Sequence, residues 1–218
     1  MARIWHRFWG PLTSGVRIVL MLLALAYASV WIGKLSSAFS PGSWLALSGL
    51  TFWHGQVWRL LTYALIPGCV WDFLSNWMLI AVIGVYLQRV WSRSQFWAYC
   101  LVCATGTGLA KILVHSTSPI ALVGTTPVVF GLLVAWARVF GHERAVFWMV
   151  WEASVRQVAL VAGVVSFLIV VMALGLVNAC IMLCGGVAGW AWLALRARQL
   201  HAQPSQSVTS ERIGRLEL

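Results

Sequence analysis

Thr126, which follows Gly124 and Thr125 and precedes Pro127 inside an apolar run of the chain, carries a hydroxyl, a group that could serve as a nucleophile only with help. A hydroxyl has a pKa far above 7 and attacks only when a base within hydrogen-bond reach takes its proton. The histidines are His6, His54, His115, His142 and His201, and none falls inside an apolar run long enough to span a bilayer. Only His54 and His115 could approach an outward-facing Thr126, and both read as interfacial or loop residues. Asp72 and Asn76 stand four apart, one helical turn, on a common face. Asp72 stands at the start of a predicted helix, where its charge suits the positive end of the helix dipole, which is the reading we adopt. The residue before a proline is pushed toward extended geometry, and threonine is a good N-cap, so Thr126 is expected to cap the helix that Pro127 opens. Cys100 and Cys103 have a metal-like spacing without a second Cys or His pair at their depth, and Cys180 and Cys184 read as packing residues. No phosphate loop is present, and no metal or cofactor is expected.

The elements that must position these residues are membrane spans. In 218 residues, 61% are hydrophobic and 9% charged, and the mean hydropathy is +0.86. Soluble chains carry about 25% charged residues, so an ordinary soluble domain is excluded. Apolar runs predict six spans at Val16–Leu35, Val70–Leu87, Phe96–Leu113, Ile120–Phe140, Val158–Val177 and Ala179–Leu195. This is an all-α bundle in a membrane domain over 16–198, with a long first outer loop over 36–69. A cytoplasmic tail over 1–15 precedes it and a disordered one over 199–218 follows. Ala145–Val155 reads as a cytoplasmic interfacial helix, with Glu152 and Arg156 one turn apart. Gly185 and Gly189 form a small-x-x-x-small face that, with Gly131, lets the fourth and sixth spans pack closely. Lys111 is expected to snorkel to the interface from the outer end of the third span.

Charge sets the orientation. With both termini in the cytoplasm, twelve basic residues lie inside, including Arg17, Arg89, Arg93, Arg138, Arg156, Arg196 and Arg198, and only Lys34, Arg59 and Lys111 lie outside, together the fifteen Lys and Arg of the chain. The net charge of +10 is thus a topology signal, and nucleic acid is not expected as a partner. Trp5, Trp9, Trp31, Trp91 and Trp97 sit near span ends, where amphipathic rings prefer the interface. The basic start and Ser36-Ser37-Ala38 mimic a secretory signal, but the apolar run exceeds the usual length and its removal would spoil the charge split.

The order of motifs from Gln56 onward resembles the rhomboid family of intramembrane serine proteases. Gly55-Gln56-Val57-Trp58-Arg59 resembles that family's Trp-Arg element in the first outer loop. Asp72-Phe73-Leu74-Ser75-Asn76 falls where the family shows His-x-x-x-Asn, keeping the Asn and losing the His. Gly124-Thr125-Thr126-Pro127, followed by Phe130-Gly131-Leu132-Leu133, resembles Gly-x-Ser-Gly and its sequel, with Thr126 on the nucleophilic serine. Met182-Leu183-Cys184-Gly185 with Gly189 resembles His-x-x-Gly-x-x-x-Gly, with Met182 on the catalytic histidine. The resemblance covers Val16 to Leu195. It implies an inactive member, a pseudoprotease, with Gly124, Thr125 and Pro127 in the oxyanion loop and Trp58, Arg59, Gly131, Gly185 and Gly189 as scaffold.

Three functions are compatible with these residues. The first is a rhomboid-like pseudoprotease that resides in the lipid bilayer and binds transmembrane segments of client proteins without cleaving them. The second is an active endopeptidase using Thr126. The third is a small membrane scaffold or transporter, and transport is disfavoured because Asp72 is the only acidic residue near a span. The minimal core, without extra domains, suggests a bacterial inner membrane with the outer side in the periplasm.

Overall fold

The structure is a computed structural model that describes residues 14–36, 41–147 and 151–202. His6, Trp5, Trp9 and the Ser37-Ala38 pair lie outside the described residues, as does the tail beyond Ala202. Helix α1 (Ser14–Ser36) leads to three short helices, α2 (Pro41–Leu45), α3 (Gly49–Trp53) and α4 (Arg59–Thr62), and a 3-10 turn at Tyr63–Leu65. Then come α5 (Val70–Leu87), α6 (Arg93–Val114) and α7 (Thr126–Val139), a hairpin of β1 (Arg144–Phe147) and β2 (Trp151–Ser154), and finally α8 (Val155–Leu174) and α9 (Leu176–Ala202). The protein is an all-α membrane protein, with α1, α5, α6, α8 and α9 each long and apolar enough to cross a bilayer.

The spans begin where local chemistry lets them. Ser92 and Ser154 each accept from the backbone N–H three residues on, at 3.3 Å, and the glutamines Gln95 and Gln157 reach back to the serine N–H at 3.2 and 3.1 Å. These reciprocal caps start α6 at Arg93 and α8 at Val155, three residues before the apolar runs suggest. The last span likewise continues as helix to Ala202, past Gln199. The interfacial helix expected over Ala145–Val155 does not form. Arg144 to Phe147 pair antiparallel with Trp151 to Ser154, Val146 opposite Glu152. Val146, Phe147 and Trp151 belong to the β-branched and aromatic types that favour a pleated surface, and this overrides the apolar spacing that suggested a helix.

The fourth span departs most from its sequence pattern. Helix α7 has 14 residues, not the 21 of Ile120–Phe140. It rises about 21 Å, against a hydrocarbon core of about 30 Å. The six residues before it are not helical, and non-helical backbone at membrane depth is tolerated only where protein satisfies its polar groups. The long outer connection does that here. Leu47 and Leu122 exchange backbone hydrogen bonds, Gly124 N–H donates to Tyr63 O at 3.3 Å, and the Thr125 hydroxyl donates to Ala64 O at 2.8 Å. Gly124 has φ +124°, which a side chain would strain.

Helix α7 is consequently the hub, packed on α5, α6, α8 and α9, with ten of its residues buried. The close approaches within the bundle use glycine: a Cβ on Gly131 of α7 would strike Cys103 Sγ of α6, and one on Gly189 of α9 would strike the Tyr99 hydroxyl of α6. That hydroxyl instead donates to Gly131 O at 2.6 Å. At the far end of α6 Lys111 is only 1% exposed, so it does not snorkel along the surface as expected, because α3 and α4 cover this end of the helix. Cys180, by contrast, is exposed, and does not pack inside.

Candidate functional site

The polar groups of the bundle meet where the starts of α5 and α7 come together. Helix α5 opens on an extended Cys69, whose Sγ accepts from Asp72 N–H at 3.4 Å. Asp72 therefore sits in the first turn, where its charge suits the helix dipole. One of its oxygens, Oδ2, accepts from Gly68 N–H at 3.0 Å. The other, Oδ1, accepts from Asn76 Nδ2 at 2.8 Å and from the Thr126 hydroxyl at 2.9 Å. Asn76 Nδ2 also donates to Thr126 Oγ1, at 3.1 Å. Thr126, Asp72 and Asn76 thus close a three-membered ring of hydrogen bonds, with Asn76 and Thr126 buried at 6% and 5% exposure.

Thr126 does not cap its helix. It is the first helical residue, Thr125 occupies the cap position with helical dihedrals, and neither side chain satisfies a free helix N–H. The expectation of a capping Thr126 fails because Pro127 falls one position later than the first turn of helix prefers, and the Thr125 hydroxyl turns instead to Ala64 O. The freed Thr126 hydroxyl turns to the carboxylate of α5.

Met182 of α9 borders the same cluster. It is buried, and a Cβ built on Gly124 would lie 3.7 Å from Asp72 Oδ2 and 3.9 Å from Met182 Cε. The thioether and the carboxylate therefore close around one glycine. A second glycine of α9, Gly185, faces the start of α7, where a Cβ would press on Pro127 O and, at 2.8 Å, on Thr107 Oγ1.

Chemically the ring offers a hydroxyl that donates to a carboxylate, and an aspartate carboxylate is a much weaker base than imidazole. Neither histidine on this side is a hydrogen-bond partner of Thr126. His54 is exposed at the end of α3, and His115 ends α6 with Nδ1 buried and without a hydrogen bond. Donors for an oxyanion are also few, since Pro127 has no N–H and that of Gly124 is committed to Tyr63 O.

The outer connection that supports this site is held by Arg59. It is 6% exposed, and its Nη1 donates to Ser43 O at 2.6 Å and Ala46 O at 2.7 Å. Burial pulls its pKa below the ordinary arginine value. Its neighbour Trp58 is half exposed. Sequence reasoning misses Gly68, Tyr63 and Ala64, which contribute backbone groups rather than side chains. The only signal for them is that Asp72 and Thr125 need partners.

No curated protein matches the chain. A family model described as "Eukaryotic integral membrane protein (DUF1751)" matches residues 17–210. That description corrects the expectation of a bacterial inner membrane, which rested on the small size of the core, and a short six-helix chain carries no mark of the kind of cell it comes from. The match runs from the first turn of α1 to beyond the end of α9, and on that extent the chain belongs to the DUF1751 family of eukaryotic integral membrane proteins.

Proposed function

We propose that this chain is a rhomboid-like pseudoprotease that binds transmembrane segments of client proteins without cleaving them. The observation that carries the reading is the ring formed by Thr126, Asp72 and Asn76. The hydroxyl in the position of the family's nucleophile donates to a carboxylate, and a methionine stands where the base would be. Activating a nucleophile requires a partner that can take the proton and later return it to the leaving group, and neither Met182 nor an aspartate fills that role well near neutral pH.

Client binding draws support from the surface beside the ring. Helices α5 and α8 both pack on α7 but do not form a packed pair with each other. Trp71, Leu74 and Met78 on α5 are exposed, as are Leu168, Ile169 and Met172 on α8. A client helix seated there would bring its own polar groups within reach of Asn76 and Asp72. Hydrogen bonds between helices in a bilayer contribute about 1 kcal/mol each, enough for selection without tight binding.

The test combines a fluorophosphonate probe with photo-crosslinking in native membranes, using a photoreactive residue in place of Leu74 or of Leu168. The expected result is no labelling of Thr126, together with crosslinks to intact membrane proteins from both positions. Labelling at Thr126 that disappears in Thr126→Ala would overturn the reading and assign an active endopeptidase. Crosslinks to lipid alone would leave a scaffold.

A further inference from the structure

A concavity lies between α7, α8 and α9. Its volume is about 620 Å³. Every residue lining it is apolar except Arg156, which stands in the first turn of α8. The wall on α8 runs from Arg156 to Phe167, that on α7 from Phe130 to Ala137, and that on α9 from Leu183 to Trp190. Because α7 ends where α8 begins, Ala137, Arg156 and Trp190 mark one end of the groove, and Phe130, Phe167 and Leu183 the other.

Three features together select an occupant. Twelve residues of helix, from Arg156 to Phe167, rise about 17 Å, which is about half of a hydrocarbon core of about 30 Å. The groove is therefore one leaflet deep, too short for a helix that must cross both. Its end carries two cations: Arg156, and Arg138, whose guanidinium lies 5.7 Å from the centroid of the Trp190 ring that forms the rim. Arg17, Arg89, Arg93, Arg196 and Arg198 lie at this same end of the bundle, the end the charge distribution assigns to the cytosol, where the leaflet is anionic.

We infer that this groove is a binding site for one anionic glycerophospholipid, with an acyl chain between α7, α8 and α9 and its negatively charged headgroup held by Arg138 and Arg156. The inference does not depend on the fate of Thr126, which lies at the opposite end of α7. Gly163 and Gly186 keep the groove open. A Cβ on Gly163 would meet nothing within 4 Å, and one on Gly186 would make only ordinary contact at 3.6 Å with Phe130 and Val134.

The experiment is native mass spectrometry of the delipidated full chain titrated with dioleoyl phosphatidylserine or dioleoyl phosphatidylcholine, which share their acyl chains. We expect one saturable site that prefers the serine lipid at least tenfold. Each of Arg138→Gln and Arg156→Gln should weaken it about fivefold, and Arg156→Lys should retain most of the preference. Glycerophosphoserine, the headgroup without chains, should not compete. Gly163→Phe should abolish the site. A diazirine placed in the acyl chain of the serine lipid should crosslink the unmodified chain at Phe130 or Leu183, which tests the groove even if a variant fails to fold. Equal affinity for the two lipids, a preference that survives both arginine changes, competition by the headgroup alone, or crosslinks confined to other helices would each overturn the site. So would a transmembrane peptide that fills the groove and displaces the lipid.

Discussion

Helices α7 and α8 are neighbours in sequence and in space, yet their situations are opposite. Ten of the fourteen residues of α7 are buried, while α8, with twenty, buries only Val155, Ala159 and Val170. The short helix is enclosed by four others and the long one rests against α7 and α9 with most of its surface turned outward. The lesson concerns what each can do. A helix fixed on all sides holds a side chain such as Thr126 in one place, and a helix fixed on one side can shift against lipid or a client with little internal cost. The hydroxyl of the polar ring, Thr126, lies on the fixed element, and both proposed binding surfaces involve the loosely held one.

The strongest way to break this contrast is to enlarge a glycine on each helix. Gly131→Leu should prevent the fold, because its Cβ would strike Cys103 Sγ and overpacking at such a point costs about 3 kcal/mol or more. Size-exclusion chromatography in mild detergent should show no monodisperse peak. Gly163→Leu on α8, where a Cβ meets nothing, should elute as the parent does. Similar profiles for the two variants would mean that α7 is not the rigid element.

The outer connection tests how the start of α7 is held. Arg59→Ala removes two hydrogen bonds from a buried charged group to Ser43 O and Ala46 O. Such bonds contribute about 1.5 to 3 kcal/mol each, so a loss of about 3 kcal/mol is expected, read as a lowered Tm or protein level. Thr126→Ala should cost less, about 1 to 2 kcal/mol, since Asp72 and Asn76 keep their hydrogen bond to each other when the hydroxyl is gone. A reversed order would mean that the ring, not the connection, fixes the start of α7.

How much of this was legible in the sequence depends on the kind of force at each place. The six elements follow from hydropathy, which is a sum over many residues, and Val70–Leu87 is found at its predicted bounds. The starts of α6 and α8 were legible too, in Ser92-x-x-Gln95 and Ser154-x-x-Gln157, but only to a reading that ranks capping above apolar periodicity. The late start of α7 was half legible: Pro127 marks a helix opening, but the apolar run reaches back to Ile120, and what keeps Ile120 to Thr125 out of the helix is the distant connection that pairs with Leu122, Gly124 and Thr125. The same holds at the site. Asp72 and Asn76 are one turn apart in any reading, whereas their bond to Thr126 joins residues 54 and 50 positions away, and only the packing of α5 on α7 brings it about.

The smallest effect expected is on the outward surface of α8, and it sharpens the contrast most. Leu168 is 55% exposed and Leu132 on α7 is fully buried. Truncating Leu132 to alanine opens a cavity that protein cannot refill and should cost about 2 to 4 kcal/mol. Truncating Leu168 exchanges a contact with lipid tails for another contact with lipid tails, which are as apolar as leucine itself, so Leu168→Ala should change stability by less than about 0.5 kcal/mol. Reversible unfolding in mixed micelles can resolve that difference. If Leu168→Ala leaves stability unchanged while reducing crosslinks to client proteins, the surface of α8 is a recognition surface. A loss of stability as large as that of Leu132→Ala would mean instead that α8 is packed against a partner even at rest.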